Sequence, residues 1–136
     1  QFLFEFLFYC GILGGTMSIL TPLIDNYNGS VNFFYIQFFV KHAIIIAFPI
    51  YLRNYLNMEL RVYSWLKTLI SLNVLLAFII PLNFYIGSNY MYLAEVPPVD
   101  NPLILTTQWP YYILTWEAII LILFLITYYF SKPKKA

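Results

Sequence analysis

Charge is scarce in this chain. Of its 136 residues only 10% are Asp, Glu, Lys or Arg, against about 25% in a soluble domain. The formal net charge is +1, which argues against a nucleic-acid partner. There is one cysteine, Cys10, so an internal disulfide framework is excluded, and one thiol is too little for a metal site. No cofactor is implied. A basic start followed by a small-residue cleavage site is also lacking, so no cleavable signal peptide is expected in Gln1 to Leu7. The first residue is Gln rather than Met, from which processing or a piece of a longer protein is expected.

What is present is apolar. Hydrophobic residues make up 62% and aromatic ones 21%, which places the chain in the membrane class. A spanning helix needs roughly 20 mostly apolar residues. Four segments qualify: Phe2 to Ile24, Phe33 to Leu52, Val62 to Tyr85 and Tyr111 to Phe130. Runs such as "HAIIIAF" and "AIILILFLI" are apolar on all sides, so helices are favoured over the alternating strands of a barrel. The expected fold is all-α, a polytopic membrane bundle of four transmembrane helices forming one transmembrane domain over 1–136.

The connections carry an orientation signal. The 53–61 loop has Arg53 and Arg61, the tail has three lysines, and the 25–32 and 86–110 loops have no basic residue. The positive-inside rule then puts both termini on the cytoplasmic side. Tyr27, Tyr35, Tyr85, Tyr90, Tyr92, Trp109, Tyr111 and Tyr112 gather near the opposite boundary, as an aromatic belt does. The 86–110 loop is too long for a plain connection, and its aromatic content predicts that it lies on or dips into the outer membrane face. Asn28-Gly29-Ser30 matches a glycosylation acceptor on that side, a match common by chance.

Several residues stand out against the apolar background. Gly11 and Gly15 form a GxxxG that permits close helix approach, either between subunits or within the chain. Pro49 and Pro81 free the carbonyls of Ile45 and Ala77, giving either a simple kink or a polar lining. His42 is the tenth residue of its span and so sits near mid-membrane. Lys41 lies about 100° around the helix from it and stacks instead with Gln37. An ionisable group at that depth is a functional hypothesis by default, though a histidine bonded to a neighbouring helix is the plainer reading. Glu117, Asn73, Asn83, Asn89 and Tyr90 could converge with His42 on a polar pocket. Glu117 would orient the ring and raise its basicity, as general base work or proton relay requires. Alternatively Glu117 balances Lys41 as an ion pair. Glu5 reads as interfacial, and Cys10 as a structural thiol.

Taken in order, "GILGGTMSILTP" (Gly11 to Pro22), "QFFxxH" (Gln37 to His42), "PIYL" (Pro49 to Leu52), "PLNFYIGSNYMYL" (Pro81 to Leu93) and "WPYYILTWE" (Trp109 to Glu117) resemble the YwaF-type conserved integral membrane proteins. The resemblance covers about residues 9 to 130. The family proteins are longer, with more spans upstream, so this chain resembles their C-terminal half. Their eukaryotic relatives are membrane acyltransferases acting on ether phospholipids through a Cys/His pair. His42 matches the family histidine. The family cysteine lies in an upstream "LPLHLC"-like segment, which Cys10 does not match. The resemblance thus implies a base in this chain and a nucleophile outside it. Gln37, Asn83, Asn89 and Tyr90 are expected on the substrate side, and a cell membrane, the bacterial inner membrane, is the expected location. The implied partners are membrane lipids, other membrane subunits or an N-terminal part of the same protein. A non-catalytic accessory subunit and a proton-coupled transporter using Lys41, His42 and Glu117 remain as alternatives.

Overall fold

The computed structural model describes residues 1–24 and 28–132. Tyr27, Asp25 and the tail residues Lys134 and Lys135 lie outside the described residues. Those described form helices and loops and no strand. Four helices are long and apolar enough to cross a membrane: α1 (Phe2–Leu20), α2 (Phe33–Tyr55), α3 (Ser64–Ile86) and α4 (Tyr111–Ser131). This is the all-α, four-span fold that the apolar runs predict. The helices fall into two compact units, one holding α1, α2 and the loop as far as Arg61, the other Val62–Ser131.

Local chemistry sets where each helix stops. α1 ends at Leu20, four residues before the apolar run does, because Pro22 bars Thr21 from helical geometry. The Thr21 hydroxyl then donates to the Met17 carbonyl at 2.9 Å. α2 starts at an N-cap, where Asn32 Oδ1 accepts the Tyr35 amide at 3.0 Å. It runs to Tyr55, beyond the apolar limit at Leu52. Tyr63 sits at φ 61°, so α3 starts at Ser64 rather than Val62. Gly87, at φ 64°, ends it by the left-handed route that glycine allows without strain.

In the first unit, α1 contains a π-turn at Leu7–Gly11, which inserts a residue and re-aims the face that follows. Gly11 and Gly15 meet α2 there. A Cβ on Gly11 would lie 3.3 Å from the Ile45 carbonyl oxygen, and one on Gly15 would lie 3.3 Å from the His42 carbonyl oxygen. The Ile45 carbonyl is the one Pro49 leaves without its helical partner. A side chain at Gly11 would crowd this carbonyl, so glycine lets the two helices approach closely here, as small residues permit between membrane helices.

In the second unit, Leu76, Leu93, Tyr112 and Ile113 form a buried cluster, with Ile79, Ile80, Val96 and Trp116 packed on it. The core is thus made jointly by α3, α4 and the connection between them. Elsewhere the helices show large apolar side chains outward, Phe78 at 71% and Leu114 at 62% exposure among them. Such a surface suits lipid rather than water.

Candidate functional site

His42 is half-buried on α2. Its Nδ1 lies 2.8 Å from the carbonyl oxygen of Phe38, one turn back. A carbonyl can only accept, so Nδ1 is the donor in this bond, and in the neutral ring the lone pair lies on Nε2. The Phe38 ring lies against the imidazole, centroids 4.3 Å apart at 46°. The ring is therefore oriented within its own helix. Gly15 sits behind the backbone of this turn, against the His42 carbonyl and Ile46. Lys41 and Gln37 are both exposed and lie one turn apart, a polar stripe on an otherwise apolar helix.

Glu117, on α4, is half-buried. Its Oε2 accepts Asn73 Nδ2 at 3.0 Å, and the same amide group reaches the Leu69 carbonyl at 3.1 Å. Within its unit the partner of Glu117 is thus an asparagine one helix away. His42 belongs to the first unit, where its Nδ1 is held by a carbonyl and not by a carboxylate.

Asn83 and Asn89 build the loop after α3. Asn83 is fully buried. Its Oδ1 accepts the Tyr90 amide and the Ser88 hydroxyl, each at 2.8 Å, and its Nδ2 donates to the Tyr90 carbonyl at 2.9 Å. Asn89 Oδ1 accepts the amides of Ala94 and Glu95 at 3.0 and 3.1 Å, and its Nδ2 donates to the Glu95 carbonyl at 2.9 Å. Both acceptor oxygens are therefore committed to the chain itself. They hold a backbone that needs holding: Met91 and Tyr92 adopt φ of 58° and 53°, a left-handed pair without glycine. The Tyr90 side chain points out from this turn, 58% exposed.

Two sets of contacts are not foreshadowed by the local sequence pattern. Glu5 is buried and grips Arg61: Arg61 Nε donates to Oε1 and Nη2 to Oε2, both at 2.8 Å, and the Arg61 amide adds a third bond at 3.1 Å. Gln1 Nε2 also donates to Oε1 at 3.2 Å. The carboxylate raises the guanidinium pKa further above its ordinary value, so this cation stays charged. The available signal was a lone carboxylate in an apolar run with an arginine just outside another. The second feature is a set of aromatic donors. Trp109 Nε1 reaches the Leu93 carbonyl at 3.1 Å, Tyr112 Oη the Tyr92 carbonyl at 2.9 Å, and Trp116 Nε1 the Leu103 carbonyl at 3.1 Å. Cys10 lies half-buried in the π-turn.

No curated protein and no solved structure matches the chain. A family model, described as the TMEM164 family, matches residues 1–128. That match takes in every motif from Gly11 to Glu117 and replaces the YwaF-type resemblance: the ordered motifs are carried by a different membrane family. With its four apolar helices, this integral membrane protein belongs to the TMEM164 family.

Proposed function

We propose that this protein takes part in lipid acyl transfer within the bilayer, with His42 as the general base. The observation that carries the reading is the Nδ1–H···O bond from His42 to Phe38 at 2.8 Å. With Nδ1 as the donor, the neutral ring presents Nε2 as an acceptor near the middle of a spanning helix. A neutral imidazole is tolerated at that depth far better than a charged group. In the step envisaged, Nε2 takes the proton of the acyl-accepting hydroxyl or thiol, which acts as the nucleophile. The nucleophile attacks the acyl carbonyl carbon, and the tetrahedral intermediate collapses. The imidazolium then returns its proton to the leaving oxygen or sulfur.

General base catalysis is worth about 10²- to 10⁴-fold. His42→Ala is therefore expected to lower transfer of a labelled acyl chain by at least that lower factor in reconstituted membranes, with the helical circular dichroism unchanged. Transfer at the parental rate would overturn the reading.

The Gln37–Lys41 stripe favours a second reading, a non-catalytic subunit of a membrane complex. An exposed lysine in a spanning helix is costly unless something polar covers it. This reading predicts a partner co-purifying at fixed stoichiometry and lost on Lys41→Leu, with no lipid turnover by the assembly. Turnover by the isolated chain would rule it out.

A further inference from the structure

The bond between Asn73 and Glu117, at 3.0 Å, sets the level of α3 against α4. Thirteen residues of α3 lie beyond Asn73, up to Ile86, whereas only six of α4 lie beyond Glu117, back to Tyr111. The seven-residue difference is about 10 Å at 1.5 Å per residue. α4 therefore begins about that far short of the end of α3. The 87–110 connection must descend alongside the last turns of α3 to reach it.

The contacts of the connection follow that descent. Asn83 holds Tyr90 near the top of α3. Leu93 is buried in the cluster that contains Leu76 and Tyr112. The Leu103 carbonyl is held by the indole of Trp116, a residue adjacent to Glu117. With 23 residues, α3 is about 35 Å long, close to the roughly 30 Å of a hydrocarbon core. A backbone at the level of Trp116 thus lies inside that core. Irregular backbone is tolerated there only when its polar groups are satisfied by protein. The donors from Trp109, Tyr112 and Trp116 do this for the carbonyls of Leu93, Tyr92 and Leu103.

We propose that 87–110 is a re-entrant segment that enters the hydrocarbon region from the Ile86 side and offers Leu105 and Met91 to the acyl chains of that leaflet. Leu105, two residues beyond the Trp116 post, is 68% exposed, and Met91 is 45% exposed. The only charges in the segment are Glu95 and Asp100, and both are exposed. They mark the parts that stay with the head groups. The lipid surface is one without net negative charge, since the segment has acids and no base. This inference is independent of the acyl-transfer reading.

The test places an environment-sensitive fluorophore (NBD) on Leu105→Cys or Asp100→Cys in the full chain, with Cys10→Ser, in phosphatidylcholine nanodiscs. The Leu105 label is expected to emit to the blue of the Asp100 label, to be quenched by doxyl groups on lipid acyl chains and to be shielded from iodide. The Asp100 label is expected to show the reverse quenching. Adding Trp116→Phe frees the Leu103 carbonyl and should move the Leu105 label towards water, with greater iodide quenching. A Leu105 label quenched by iodide as strongly as the Asp100 label overturns the proposal. So does one shielded from both iodide and doxyl lipid, or one indifferent to Trp116→Phe.

Discussion

Arg61→Ala is expected to lower the melting temperature of the detergent-solubilised protein by roughly 10 °C or more. Adding Glu5→Leu is expected to restore most of that loss. The asymmetry follows from where the two partners sit: the Glu5 side chain is 1% exposed and the Arg61 side chain 49%. Removing the guanidinium strands a buried carboxylate, which costs about 3–5 kcal/mol at Glu5. The bonds left to it, from the Arg61 main-chain amide at 3.1 Å and Gln1 at 3.2 Å, are those of neutral donors and do not replace the two charge-assisted ones. Removing Glu5 as well takes the stranded charge away, and a leucine fills the space with apolar volume. Replacing a whole buried ion pair by well-packed apolar residues is often neutral or better. A melting temperature for Arg61→Ala within about 2 °C of the parent would show that the pair is not holding α1. A double variant as unstable as the single would place the cost in the loop rather than at the carboxylate.

This pair also marks the boundary of what the amino-acid order makes legible. Apolar runs of twenty or more residues leave few alternatives in a bilayer, so the four helices follow from composition alone. Their ends depend on single residues: Pro22 stops α1 early, and the left-handed Tyr63 delays α3. Glu5 and Arg61 stand 56 residues apart; each is conspicuous beside an apolar run, but neither local pattern says which residue is its partner. Asn83 and Asn89 look like free polar groups near a membrane surface, yet their bonds go to main-chain atoms of the next few residues. Side-chain identity says little about backbone partners. The same holds for His42. Its depth and its stacking on Phe38 follow from helical spacing, but the acceptor at its Nδ1 is a carbonyl, which every residue carries. Tyr112 and Trp109 read as a boundary belt because aromatic residues are common there, and only the descent of the loop shows why they, with Trp116, must be donors.

Gly15→Leu should disrupt the first unit far more than any change at the neighbouring Gly14, and it should act on His42 as well as on stability. A Cβ at Gly15 would sit 2.8 Å from Ile46 Cγ1 and 3.3 Å from the His42 carbonyl oxygen, whereas one at Gly14 would meet nothing within 4 Å. For Gly15→Ala, overpacking of about 1–3 kcal/mol is offset by at most about 1 kcal/mol of helix propensity, a net loss. Gly14→Ala keeps the propensity gain without the clash and should be neutral or slightly stabilising. Leucine adds three more carbons where the methyl already collides, so α1 and α2 must part. The van der Waals contact that joins helices in lipid is then lost. The atoms pushed belong to the turn that carries His42, and under the acyl-transfer proposal a shift of its ring by about 1 Å would cost on the order of 100-fold in rate. Acyl transfer by Gly15→Ala should therefore fall by more than its melting temperature suggests, while Gly14→Ala leaves both unchanged or improved. Equal effects at the two glycines would mean that the seam between α1 and α2 does not run through Gly15. A destabilised Gly15→Ala that keeps its full transfer rate would separate the seam from the placement of His42.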